Sequence, residues 1–215
     1  CQTLVIQEEG GTSSTIAKGR RIVDELLQEI ETTERCPIAL SDLIIGTVCG
    51  GSDGTSGITG NPAVGRAFDT LLANNAICIF EESGELIGCE PHMMARAVDS
   101  QTRDDIDKAM AKARDYYSVM GLGSFSNGNA VGGLTTQEEK SLGAYAKSGD
   151  GQISGVIRPT QRPVKPGLYL MDVVPDGEPR FGYPNINDTS EIIELIASGC
   201  HMILFTTGRG SIVGS

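Results

Sequence analysis

Short apolar runs alternate along this chain with longer stretches in which apolar residues recur every three or four positions. The runs at 43–48, 76–80 and 201–207 have strand length and are bounded by Ser, Asn, Asp or Gly. Such runs read as strands covered on both faces. Segments 3–7, 152–157 and 168–173 read as further strands. Helical spacing runs through 12–34, with Ile16, Ile22, Leu26, Leu27 and Ile30 on one face, and through 62–74, with Val64, Ala67, Phe68 and Leu71. It returns over 86–97, 102–119, 135–147 and 190–197. Strands alternating with helices predict an α/β fold: a mostly parallel sheet with helices on both faces, a Rossmann-like three-layer sandwich.

Two loops break this rhythm. Directly after the strand at 43–48 comes Cys49-Gly50-Gly51-Ser52-Asp53-Gly54-Thr55-Ser56-Gly57-Ile58-Thr59-Gly60-Asn61-Pro62. Asn61 and Pro62 resemble an N-cap and first helical residue, so the next helix is expected to start there. Glycines at this density let the backbone approach a ligand and present bare N–H groups to an anion. Ligands in α/β sheets bind beside the carboxyl ends of strands, so Gly50, Gly51, Ser52, Ser56, Thr59 and Asn61 are candidate substrate contacts. The second loop is Thr206-Thr207-Gly208-Arg209-Gly210-Ser211, after the strand at 201–207. Arg209 between two glycines suits a carboxylate, sulfonate or phosphate, with Thr207 and Gly208 beside it; a turn carrying a solvated arginine is the plainer alternative. Both loops are expected at one edge of the sheet, facing one cleft.

Two further stretches carry chemistry. In Gly132-Gly133-Leu134-Thr135-Thr136-Gln137-Glu138-Glu139-Lys140, Thr135 and Glu138 fit a capping box. Lys140 then falls in the second helical turn, within reach of a ligand at that helix's start. Of the two histidines, His201 begins an apolar strand and reads as a satisfied core histidine. His92, in Glu90-Pro91-His92, is a candidate base or ligand near Glu81 and Glu82, or else a surface histidine. Segments 121–133 and 175–188 read as loops long enough to be functional.

Composition narrows the partners. The 215 residues carry 17 Lys and Arg against 28 Asp and Glu, a net charge of −11. This argues against nucleic acid and anionic membranes as partners, and means that an anionic substrate must be met by local positive charge. No apolar run approaches the ~20 residues of a membrane span. Six cysteines without a C-x-x-C pair argue against zinc ribbons and thioredoxin motifs, and fit a reducing, cytoplasmic setting. Cys78 and Cys200 read as buried apolar residues. The chain starts at Cys1 and stops after a strand and a glycine-rich turn. It therefore reads as one α/β domain over 1–215, a central or C-terminal piece of a longer protein.

Four blocks then resemble the altronate/galactarate dehydratase family, which includes the large subunit of sulfolactate sulfo-lyase: Leu4-Val5-Ile6-Gln7-Glu8-Glu9-Gly10-Gly11-Thr12, and residues 49–65, 132–149 and 204–210. Two features depart from the dehydratases. Ser124-Phe125-Ser126-Asn127-Gly128-Asn129 stands where they show Asn-Pro-Ser-Pro-Gly-Asn, and the segment 175–188 is longer and closer to the sulfo-lyase. The resemblance implies a lyase that removes the proton α to a carboxylate and expels a β substituent, giving a 2-oxo acid. The expected substrate is (2R)-3-sulfolactate, giving pyruvate and bisulfite, with dehydration of altronate or galactarate as the alternative. It further implies a divalent metal, iron or else manganese or magnesium, with Cys49 and Asp53 as candidate ligands, and Lys140 or His92 for proton chemistry. A small partner subunit and a homo-oligomer are expected as well. The rival from another class is a non-catalytic anion- or nucleotide-binding module.

Overall fold

Each expected central strand forms, and all of them run parallel. The computed structural model describes residues 3–121, 123–179, 182, 184, 186–211 and 213. Two units divide the chain, Cys1–Ile38 and Ala39–Ser215, and the α/β architecture belongs to the second.

In the first unit the segment at 3–7 does not become a strand. The Val5 carbonyl accepts from the Glu8 and Glu9 amides at 2.9 and 3.0 Å, and Gly10 and Gly11 take positive φ of 81° and 103°. The chain thus turns into helix α1 (Thr12–Glu31) instead of extending. Lys18 pairs with Glu9 across that turn at 2.7 Å.

The second unit begins with β1 (Ile44–Cys49), then a short helix α2 (Gly54–Ile58), α3 (Gly60–Ala73) and β2 (Ile77–Phe80). Helices α4 (Glu90–Ala95), α5 (Ser100–Tyr117), α6 (Asn127–Val131) and α7 (Gln137–Tyr145) follow, then a 3-10 turn Ala146–Ser148. Strands β3 (Ile153–Ile157) and β4 (Gly167–Met171), helix α8 (Asp188–Ala197) and strand β5 (Met202–Thr206) complete it. The sheet order is β3-β4-β2-β1-β5, every pair parallel. One face packs Ile45, Cys78, Phe80, Leu168 and Leu170 against Val64 and Phe68 of α3 and Ile106 and Met110 of α5. The other packs Ile44, Val48, Ile79 and Met171 against Ile192 and Leu195 of α8. Gly46 in β1 permits that second contact, because a Cβ there would sit 2.9 Å from Leu195. Among the described residues no helix is long and apolar enough to cross a membrane.

Local chemistry moved several boundaries. Asp53, not Asn61, is an N-cap: its carboxylate accepts from the Thr55 and Ser56 amides and starts α2 inside the expected loop. The Asn61 side chain is already engaged, donating to Gly143 O at 2.9 Å and accepting from Thr206 Oγ1 at 2.6 Å. Asp99 caps α5, accepting from Thr102 N at 2.7 Å. Thr136, one residue later than expected, caps α7 by accepting from Glu139 N. Thr135 instead donates its hydroxyl and amide to the Glu139 carboxylate. A helical turn, α6, occupies part of the expected loop at 121–133. Cys78 is fully buried, whereas Cys200 is only half-buried.

Candidate functional site

The parallel register sets Cys49 opposite Thr206, so the two glycine-rich loops leave the sheet side by side at its carboxyl edge. Asp53 joins them. Its carboxylate accepts four hydrogen bonds, from Thr55 N, Ser56 N, Ser56 Oγ and Gly208 N, at 2.8–3.0 Å. Burial acts to raise its pKa, but the bonds from Ser56, Gly208 and Thr55 outweigh it and hold the carboxyl below its ordinary value. A carboxylate engaged in this way is a brace, and Asp53 does not fit the metal-ligand role expected of it.

Beside this brace lies a cleft of about 120 Å³ lined by Cys49, Gly50, Gly51, Ser52, Glu82, Glu85, Tyr117, Ser126, Asn129, Lys140, Ile186, Asn187, Asp188 and Glu191. Glu82 anchors its floor. It lies two residues beyond the end of β2 in left-handed backbone, φ 75°, a conformation that costs a non-glycine residue about 1–3 kcal/mol and clusters at functional sites. Its Oε1 accepts from Cys49 N at 3.0 Å and from Cys49 Sγ at 2.7 Å. Its other oxygen pairs with Lys147 of the 3-10 turn, a lysine 2% exposed. A buried charge is tolerable only when paired, so Glu82 and Lys147 require each other.

Lys140 forms one wall. Its Nζ donates to Ser124 O at 2.6 Å and Asn129 Oδ1 at 3.2 Å, and pairs with Glu85 at 3.2 Å. Three acceptors meet its three donors, which fixes the ammonium as a local positive charge in an otherwise acidic cleft. Asn129 ties that wall to the first loop by donating to Ser52 O at 3.2 Å. The Gly50 amide donates to Thr206 O at 2.9 Å. The neighbouring Gly51 and Ser52 amides are bonded to no described residue and line the cleft.

Behind Glu191 lies Glu81, 1% exposed. Its pKa stands well above the ordinary value, through burial and then the charge of Glu191. Burial and then the charge of Glu85 push Glu191 up to about 8.

The residues expected from sequence thus separate. Cys49, Gly50, Gly51, Ser52 and Lys140 line the cleft. Ser56, Asn61 and Gly208 brace the loops around it, and Thr59 and Thr207 bond within their own turns, to Thr55 O and Gly210 O. Arg209 does not reach the cleft; its guanidinium donates to Gly128 O and ties the second loop to α6. His92 does not reach it either, lying exposed on α4 with its ring 5.9 Å from that of Tyr145. His201 accepts from Ile44 N at 3.0 Å through Nδ1 and is satisfied, but it lies exposed just before β5 and not in the core. The carboxylates Glu82, Glu85, Asp188 and Glu191 were not singled out as a set. Glu81 and Glu82 could have been, since two acids directly after an apolar strand at a sheet's carboxyl edge are themselves a signal.

With Asp53 engaged, Cys49 is left without the second ligand expected for a metal. Among the described residues no group of three or more His, Cys, Asp and Glu side chains is placed to hold one. The residues present do not make a metal centre by themselves.

Residues 40–215 match the family model described as D-galactarate/altronate dehydratase, C-terminal. An altronate dehydratase of Escherichia coli is 35% identical over 93% of this chain and 39% of its own length. The (2R)-sulfolactate sulfo-lyase subunit beta of Chromohalobacter salexigens is 34% identical over 97% and 52%. A galactarate dehydratase (L-threo-forming) of E. coli is 33% identical over 95% and 38%. The chain therefore spans between two fifths and about half the length of these relatives.

Proposed function

The chain belongs to the D-galactarate/altronate dehydratase family, and from that premise we propose that its cleft carries out β-elimination on a small 2-hydroxy acid, giving a 2-oxo acid. One observation carries this reading: a strained, buried carboxylate, Glu82, faces the same small cleft as a fixed ammonium, Lys140, and two unengaged loop amides. The substrate carboxylate accepts from the Gly51 and Ser52 N–H groups beside the positive charge of Lys140, whose own donors stay on Ser124, Asn129 and Glu85; together these stabilise the charge that develops as the α-proton leaves. Glu82 takes that proton. A carboxylate is a weak base for this task, so positioning and charge stabilisation carry most of the catalysis. Lys140 thus serves as an electrostatic group, not as the base, and no step depends on His92 or on a metal.

The lining bears on the substrate. Arg209, the residue expected to meet a sulfonate, is tied to Gly128, and of the four carboxyl groups lining the cleft Glu82 and Glu85 are paired with Lys147 and Lys140 while Asp188 and Glu191 have no lysine or arginine partner among the described residues. Carboxylates accept hydrogen bonds from hydroxyls but repel a second anionic group. This favours water leaving from a polyhydroxy acid such as altronate over bisulfite leaving from 3-sulfolactate. The reading toward 3-sulfolactate keeps one support: Ile186, Asn187 and Asp188, from the segment that resembled the sulfo-lyase, line the cleft. A volume of about 120 Å³ is below the ~300 Å³ at which drug-sized pockets begin, which argues against a nucleotide in this cleft. A partner subunit, as the name of the sulfo-lyase subunit indicates for that relative, remains part of the proposal.

The test is a screen of the protein with altronate, galactarate and 3-sulfolactate, each deuterated at the α carbon, following 2-oxo acid, sulfite and loss of deuterium. Formation of 2-oxo acid with loss of the α label and no sulfite supports the reading. Sulfite release reverses the substrate preference. Retention of the α label in a 2-oxo product refutes the proton abstraction.

A further inference from the structure

The thiol of Cys49 bonds directly to the carboxylate of Glu82, and both residues line the cleft. Cys49 is the last residue of β1, at the carboxyl edge of the sheet. Its Sγ donates to Glu82 Oε1 at 2.7 Å and lies 3.3 Å from Ser52 Oγ. A thiol carries one hydrogen; with that hydrogen on Glu82, the Ser52 hydroxyl is the donor to sulfur. Glu82 itself has little left to offer a substrate. Oε1 accepts from both the amide and the thiol of Cys49, and Oε2 is buried and paired with Lys147. A proton bound for this carboxylate must displace one of these partners or pass through one. Displacing Lys147 strands a buried charge, and the Cys49 amide is fixed at the end of β1. The thiol remains, and it can both receive a proton and hand one on.

We propose that Cys49 is a catalytic residue whose thiol carries the α-proton of the substrate to Glu82 and then carries a proton back to the departing β oxygen. The proposal rests on the lyase reading above and supplies both the route to its base and the acid it lacks. The Cα–H bond breaks and its proton moves to Sγ, as the Sγ proton moves to Glu82 Oε1. The electron pair stays on the substrate as an enediolate, held by the Gly51 and Ser52 amides beside Lys140. The path then runs in reverse. Sγ gives its proton to the β oxygen and recovers one from Glu82. The enediolate pair forms the Cα–Cβ double bond, and the Cβ–O bond breaks with its pair on the oxygen, which leaves as water. The enol tautomerises to the 2-oxo acid, taking a proton from solvent at Cβ and releasing its own. Protein and bound substrate keep one total charge until the products leave, and Glu82 and Cys49 end as they began. Lys147 favours the return, because it regains its counter-charge when Glu82 ionises again. Hydroxide is too poor a leaving group to depart unprotonated, and proton transfers by positioned side chains, cysteine among them, contribute on the order of 10²–10⁴-fold.

The experiment compares the unaltered protein with C49A and C49S on the 2-hydroxy acid it turns over. C49A should lower kcat at least about 100-fold while KM changes less than about threefold. C49S keeps a hydrogen-bonding group beside Glu82 but a less acidic one, and should lower kcat at least about tenfold. A C49A protein within about tenfold of the unaltered kcat, or a C49S protein within about threefold, overturns the relay and leaves the lyase reading in place. If C49A fails to fold, C49S decides alone. Infrared spectroscopy gives a readout independent of turnover, since S–H stretching falls in a window that other protein groups leave clear. A hydrogen-bonded S–H band that C49S removes, and that E82Q moves to higher frequency by offering a weaker acceptor, supports the thiol–carboxylate contact. Absence of such a band refutes it. A protein that turns over no 2-hydroxy acid loses the lyase reading, and the relay with it.

Discussion

Replacing Lys147 by Met tests the buried ion pair that fixes the floor of the cleft. Lys147 is 2% exposed, and its partner Glu82 is 3% exposed. Methionine keeps most of the apolar stem, so the loss is chiefly electrostatic. Removing one partner of a buried pair strands the other charge and costs about 3–5 kcal/mol. For a protein of this size each kcal/mol lowers Tm by roughly 2–4 °C, so a fall of about 6–20 °C is expected. The double variant K147M/E82Q should recover much of this, because a neutral amide needs no counter-charge and still accepts from Cys49. Urea unfolding of the single and double variants at pH 7 gives the cycle, with a coupling energy of about 2–3 kcal/mol. Lower pH should shrink the deficit of K147M, since protonation discharges the stranded Glu82. A K147M variant within about 1 kcal/mol of the unaltered protein, or a double variant no better than the single, would refute the pairing.

Asp53→Ala removes an N-cap and the charge-assisted bond to Gly208 N, and should cost about 2–4 kcal/mol in urea unfolding. Because the folded pKa of Asp53 lies below its ordinary 3.8, its contribution is complete above that value and is lost as pH falls further, so the variant's deficit should narrow only in strong acid. Glu191 has the opposite sign. Its folded value of about 8 lies above the ordinary 4.5, so the native state binds the extra proton between those limits and stability falls as pH rises through them; E191Q should flatten that slope in thermal scans from pH 5 to 8. Gly65→Ala drives a Cβ into the Ala146 carbonyl, with Gly149 close behind, and should destabilise by roughly 3 kcal/mol by the same assay. In thiol labelling near neutral pH, the exposed Cys36 should react first. Cys78 and Cys89, buried with values pushed up to about 12 and 11, should react only on unfolding.

Periodicity carried the fold well because buried parallel strands leave continuous apolar runs. It failed at 3–7, where Gly10 and Gly11 turn the chain before a strand can find a partner. It also missed α2 and α6, since five residues are too few to show a helical stripe. Glycine density pointed to the sheet's carboxyl edge, where the cleft lies, but it could not separate lining from bracing. Asp53, Asn61 and Arg209 are polar, glycine-flanked and near the cleft, yet each is engaged by a partner 80 or more residues away in sequence. The acids of the cleft come from the loop after β2 and from α8, and only folding sets Glu82 and Glu191 around one space.

The central claim is that a small 2-hydroxy acid binds in the cleft between Cys49, Glu82 and Lys140. A crystal structure of the E82Q variant, which should bind substrate without removing its α-proton, soaked with the acid the unaltered protein turns over, tests it most directly. The account predicts the substrate carboxylate accepting from the Gly51 and Ser52 amides beside Lys140, with the α carbon facing residue 82. Substrate bound elsewhere, or bound here with its carboxylate held by Arg209, would contradict it.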